Sequence, residues 1–263
     1  MMRPDMVYQF PIWAVGLSLA IAAVIGTILL ELGVRHFVSA AFRRQHNDIA
    51  AAIFSIIGVT YAVLLAFVAM LAWDGFNKAK AASYMEAAMI MDVIQAADGL
   101  AEPAKAKMLA GVNRYTRAVI AIEWPAQAEG HVARAGDGYL DELQGLAASL
   151  RPSSQADTNF HALLLQSLTR LRDARQERLL AAETTIPGIV WFVVIVGGAI
   201  TIAFSSFLGA PSVRMHLGMC CLLAVSGVLV LVLIIALSNP FRGDFRVSTV
   251  PFDYVLSRIG EAP

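Results

Sequence analysis

Four stretches of the chain carry no Asp, Glu, Lys or Arg: Met6 to Leu30, Ile49 to Trp73, Thr184 to Val213 and Met215 to Phe241. They are 25, 25, 30 and 27 residues long. A helix rises about 1.5 Å per residue, so about 20 apolar residues cross a hydrocarbon layer roughly 30 Å thick. Each stretch exceeds that length, and none alternates apolar and polar positions as a barrel strand would. The pattern predicts four transmembrane helices, near residues 12–30, 49–73, 189–208 and 216–237. Aromatic residues gather at their ends, as at a membrane interface: Tyr8, Phe10 and Trp13 before the first, Trp73 after the second, Trp191 early in the third. The first stretch is too long for the apolar part of a secretory signal. Only Arg3 precedes it as a positive charge, with Asp5 beside it, so it is read as a retained span.

Between the second and third spans, Asp74 to Glu183 holds 12 basic and 14 acidic residues. Its apolar positions recur at helical spacing. Tyr84, Ala88, Met91, Val93 and Ile94 follow the second span with no breaker before Gly99, so that helix is predicted to run on out of the membrane. Glu102-Pro103 opens a second helix, since a first-turn proline gives up an N–H that the helix does not use. Met108, Leu109, Val112, Tyr115, Val119 and Ile122 form its stripe, and Trp124-Pro125 is predicted to end it. A glycine-rich loop over 127–138 and a short helix near Tyr139–Leu150 come next. A turn at Pro152-Ser153-Ser154 leads to a last helix carrying Phe160, Leu163, Leu164, Leu168, Leu171 and Leu179, and Thr184, Thr185 and Pro187-Gly188 mark the joint to the third span. No strand-period segment appears. The predicted fold class is all-α and integral to the membrane, four transmembrane helices with a long helical insertion between the second and third. The division is 1–73 for a first membrane pair, 74–183 for the helical domain, 184–241 for a second membrane pair, and 242–263 for a tail packed on the helical domain.

Composition sharpens this picture. The chain is 58% hydrophobic and 15% charged, with 20 basic and 20 acidic residues and no net charge. Outside the four stretches about 26% of residues are charged, ordinary for protein in water. A single soluble globule is excluded, and so is a nucleic-acid binder driven by bulk charge. Ionisable residues inside spans mark proton relays and substrate paths, and here only His216 lies within a stretch, which argues against a proton-coupled transporter. Walker-type loops, HExxH, GxSxG and paired-cysteine patterns are missing, and the five histidines are scattered, so no enzyme, cofactor or metal is expected. Cys220 and Cys221 are neighbours, unsuited to an ordinary disulfide and read as small packing residues.

Ala51, Ser55, Gly58, Ala62, Ala66 and Ala69 lie on one face of the second span, where small side chains let helices approach closely in lipid. This face packs against another span or a neighbouring subunit. Ile53, Ile57 and Tyr61, at spacing four, are the candidates for an apolar constriction that gates by dewetting. Glu86, Asp92 and Glu123, and the cluster Arg170, Arg172, Arg175 and Arg178, read as solvated or salt-bridged surface charge. Glu31 and Arg35 form an i, i+4 helix pair with Glu first, the favourable order.

The most distinctive text follows the fourth span: Ser238-Asn239-Pro240-Phe241-Arg242-Gly243-Asp244-Phe245-Arg246-Val247. Asn239, Pro240, Phe241, Gly243 and Asp244 resemble the segment after the last span of bestrophin chloride channels. The order of elements is similar too, and residues 54–73 with the Glu86 helix, 115–124 and 239–256 resemble the bacterial bestrophin-like family. The resemblance implies a bestrophin-like fold, a homo-oligomer in the lipid bilayer (a pentamer in true bestrophins), a second span lining an ion pathway, and small inorganic anions as the permeating partners. In the channels the segment after the motif is acidic and holds calcium. Here Arg242 interrupts it and only Asp244 and Asp253 remain, which argues against a calcium clasp because a hard cation needs several oxygen ligands. The alternative reading is a non-conducting membrane scaffold or sensor whose helical domain binds partners. Orientation is divided: Arg35, Arg43 and Arg44 draw the first loop inward by the positive-inside rule, while the larger total, with Lys78, Lys80, Arg242, Arg246 and Arg258, lies on the other side. That total and the resemblance place the helical domain and both termini on the cytoplasmic side of a cell (inner) membrane.

Overall fold

Long charge-free sequence with no interior proline propagates helix cheaply once a first turn exists, and the chain is helical through most of its length. The computed structural model describes residues 8, 10–210 and 212–260; Arg3, Asp5 and Met6 lie outside them, and the side chain of Arg44 is likewise not described. Among the described residues there is no strand, and four helical stretches are long and apolar enough to cross a membrane. The chain divides into two compact units. The first comprises Met1–Asp74 and Thr185–Ser238, the second Gly75–Thr184 and Asn239–Pro263.

In the first unit, α1 (Ile12–Phe37) is followed by the short α2 (Ala40–Gln45) and by α3 (Asn47–Ala97), whose opening part belongs here. The helices α8 (Gly188–Ser205) and α9 (Val213–Leu237) complete the unit, and α1 makes its main contact with α9. Burial inside this unit is sparse. Thr27, Glu31 and Val34 of α1, Leu65, Val68 and Ala72 of α3, and Cys220, Ala224 and Val228 of α9 are enclosed. Most large apolar side chains of these helices stand exposed, as lipid-facing helices require.

The second unit is built on the remainder of α3, which runs unbroken for 51 residues. It contains α4 (Ala104–Ala118), α5 (Trp124–Ala128), α6 (Gly136–Ser149), α7 (Gln155–Glu183) and α10 (Val250–Gly260). The stripes predicted for α4 and α7 supply its core: Met108, Val112, Tyr115 and Val119 meet Leu164, Leu168 and Leu171, with Ile90 and Val93 of α3 and Leu140 and Leu143 of α6. A capping box starts α7. Ser154 Oγ accepts the Asp157 N–H at 3.0 Å, and Asp157 Oδ2 accepts the Ser154 N–H at 3.0 Å.

One local expectation is corrected. Trp124-Pro125 does not end its helix: α4 passes into a π-helical turn at Val119–Glu123, and α5 begins at Trp124 with Pro125 in its first turn, where no N–H is needed. The tail after the fourth span contains α10. Its Pro251, Phe252 and Val255 are buried, and Phe252 and Val255 join the core of the second unit.

Candidate functional site

Along the first part of α3 only a narrow side is covered. Leu65, Val68 and Ala72 turn inward at helical spacing, whereas Ala51, Ser55, Ala62 and Ala66 are exposed and Gly58 and Ala69 half-buried. The small-residue face is therefore not the one that packs within its own unit. The three neck candidates separate. Ile53 is 43% exposed and Ile57 half-buried. Tyr61 is turned onto α8, where its hydroxyl donates to the Val194 carbonyl at 3.0 Å. Gly197 and Gly198 allow that approach: a Cβ at Gly198 would stand 2.7 Å from the Tyr61 hydroxyl, and one at Gly197 2.9 Å from its ring. The polar tip of Tyr61 is thus satisfied inside its own chain.

A larger correction concerns charge. Glu86, Glu123 and Arg178, read from the sequence as surface charges, are 0% exposed, and Arg175 is nearly so. Arg178 of α7 donates from Nε to Glu86 Oε2 at 2.5 Å and from Nη2 to Glu123 Oε2 at 2.7 Å. Arg175, one turn earlier, grips Glu123 with both terminal nitrogens, at 2.7 and 3.0 Å, and donates from Nε to Asp137 at 2.8 Å. The Tyr115 hydroxyl donates to Glu86 at 2.6 Å, and the Gly136 N–H to Glu123 at 2.8 Å. The guanidinium of Arg178 lies 5.3 Å from the Trp124 ring centre, and that of Arg175 lies 5.6 Å from the Tyr115 ring centre. Two buried carboxylates thus meet two buried guanidiniums, with Arg178 Nη1 left without a hydrogen-bond partner among the described residues. The π-helical turn sits immediately before Trp124 and carries Glu123 into this centre.

Ionisation follows from that arrangement. Burial by itself raises the Glu123 pKa, but the hydrogen bond from Arg175, the charges of Arg178 and Arg175, and the Gly136 N–H outweigh it and hold the carboxyl below its ordinary range. Tyr115 is pushed well above the ordinary phenol range, chiefly by burial and then by the Glu86 charge. The cluster is enclosed, charge-balanced and holds no nucleophile. It ties α3, α4, α6 and α7 together rather than presenting a reacting group.

The post-span motif serves the same unit. Arg242 N–H donates to the Asn239 carbonyl at 3.1 Å and Val247 N–H to the Pro240 carbonyl at 2.7 Å, closing a turn in which Gly243 takes a φ of +72° that favours glycine. Phe241 is thereby set edge-on to Trp124 at 5.4 Å, with Phe252 against the same indole at 5.2 Å. The Trp124 N–H donates to the Val247 carbonyl at 3.1 Å. Arg242 extends over Gly130 of the loop before α6.

The family model for the Bestrophin-like domain matches residues 12–252. The chain belongs to the bestrophin-like family. Solved structures agree at the level of fold. A crystal structure of a bacterial bestrophin homologue from Klebsiella pneumoniae carrying a point mutation matches with a TM-score of 0.72 at 11% identity, covering 92% of this chain and 99% of that one. A second structure of the Klebsiella homologue gives 0.69 at 13% identity, with the same coverage. No curated protein matches the sequence. With its four apolar helical stretches, this bestrophin-like chain is a membrane protein.

Proposed function

We propose that this bestrophin-like protein assembles with copies of itself, as a pentamer, into a channel for small inorganic anions. In this reading α3 lines the passage, Ile53 and Ile57 contribute its apolar neck, and the second unit faces the cytoplasm. The observation that carries the reading is the outer face of α3. Ala51, Ser55, Ala62 and Ala66 are exposed along a charge-free segment in which the covered residues Leu65, Val68 and Ala72 lie on another side of the helix. A face of small residues suits close approach of another subunit, and a row of apolar side chains beside it suits a constriction that closes by expelling water. The absence of any acidic or basic residue from Ile49 to Trp73 leaves no group to trap a permeating ion.

The test is halide flux through purified protein in liposomes, beside a mass measurement of the assembly. Wild-type protein is expected to conduct, and Ile53→Ala and Ile57→Ala to conduct more, since a wider neck holds water more readily. A folded oligomer silent to halides at every voltage and pH tried would sink the channel and leave the scaffold.

A further inference from the structure

The membrane-end cluster of the first unit contains a set of groups that the sequence reading kept apart. Glu31 sits in the last two turns of α1, and His216 and Cys220 lie one turn apart near the start of α9; all three are buried. Their ligand atoms lie within 4.8 Å of one another. His216 Nε2 is 3.6 Å from Glu31 Oε2 and 3.7 Å from Cys220 Sγ. Around a tetrahedral zinc with metal–sulfur, metal–nitrogen and metal–oxygen bonds of about 2.3, 2.05 and 2.0 Å, the matching separations are about 3.3 and 3.6 Å. The two His216 separations therefore need to close by only a few tenths of an ångström, while Glu31 and Cys220, whose ligand atoms lie within 4.8 Å, must come to about 3.5 Å.

We infer that Glu31, His216 and Cys220 form a binding site for a divalent transition-metal ion of the zinc class. An independent observation is the state of Glu31. Its Oε1 accepts from Arg35 Nε at 2.6 Å and lies 3.6 Å from Arg43 Nη1, yet its buried Oε2, the oxygen nearest His216, accepts no hydrogen bond. A buried carboxylate oxygen left in that state is costly without a cation or donor. The two arginines neutralise the far oxygen and orient the near one, as outer-shell partners of a metal ligand do. Thiolate and imidazole select a borderline or soft ion over calcium or magnesium. Binding releases the Cys220 proton to solvent, so the thiolate adds its negative charge to that of a carboxylate already shared with Arg35 and Arg43. The Ser205 hydroxyl lies 3.5 Å from the sulfur, within reach to donate to a thiolate. His216 and Cys220 also line a cavity of about 410 Å³, bounded too by Asn47, Phe54 and Ser205, which gives the ion an entry path and leaves a fourth coordination position open. The occupied site joins α1 to α9.

Purified full-length protein titrated with zinc alone is expected to take up one ion per chain. Affinity should fall on the order of 100-fold in Cys220→Ser and in His216→Gln, and stay unchanged in Cys221→Ser. Cobalt in place of zinc should produce a sulfur-to-metal charge-transfer band in the wild-type chain and in Cys221→Ser. Melting of each variant without metal separates lost binding from lost folding. Should Cys220→Ser fail to fold, the cobalt band decides alone, because only a thiolate produces it and Cys221→Ser reports which one. A wild-type chain with no such band, or zinc binding undiminished in both ligand variants, overturns the site.

Discussion

At the scale of single residues the buried charge network dominates the second unit. Removing one partner of a buried, hydrogen-bonded pair strands the other in a poor solvent, and such losses run to about 3–5 kcal/mol. Arg178→Ala is expected to cost this much, because it leaves Glu86 without its Nε and Nη2 donors and takes from Glu123 the Nη2 contact. Arg172→Ala is the matched comparison. Arg172 reaches Asp141 at 2.5 Å, but both side chains are largely open to water, and an exposed pair contributes at most about 1 kcal/mol. Thermal unfolding of the purified variants in detergent would read the contrast, and equal losses would refute it. The network also sets a pH dependence. Folding lowers the Glu123 pKa, so its contribution is complete above the ordinary carboxylate range and disappears as pH falls through the depressed folded value. Tyr115 acts at the other end, since its raised pKa makes stability fall as pH climbs past the ordinary phenol range. Melting temperature against pH should show both limbs, and Glu123→Gln should flatten the acid one. None of this was visible in composition. Glu86 and Arg178 are 92 residues apart, and nothing local distinguishes Arg178 from the exposed Arg172 in the same helix.

Helices were legible to the extent that period and punctuation determine them. The stripes of α4 and α7 are the residues that became core, because a helix that must bury one face repeats apolar side chains every three or four positions. The start of α7 was readable from Pro152-Ser153-Ser154, and its capping box gives a prediction of its own. Ser154→Ala removes the acceptor for the Asp157 N–H and is expected to cost about 1 kcal/mol. That corresponds to roughly 2–4 °C in melting temperature for a chain of this size. A scan showing no shift would mean that α7 is held by packing alone. The π-helical turn and α10 were not legible. A π turn is an extra residue accommodated in a helix, with no periodic signature, and α10 is short and follows a turn-rich motif whose meaning depends on Trp124 being nearby.

At the scale of the whole molecule, the four charge-free stretches, the helical insertion between the second and third, and the Asn239–Asp244 segment together carried the bestrophin-like resemblance, and the family match over residues 12–252 bears it out. These features survive in a single sequence because a hydrocarbon solvent admits no unpaired backbone and few charges, so spans must be written as long apolar runs. The sequence by itself determined the all-α class, the spans and most stripes of the helical domain. Only the tertiary structure decided which side of α3 is covered, that Tyr61 rests on α8, that Phe241 is a wedge against Trp124, and which charges leave water. The physical reason is the same in each case: apolar periodicity is a local property of a helix, whereas pairing of Glu86 with Arg178, or of Glu31 with His216, exists only once distant helices are packed together.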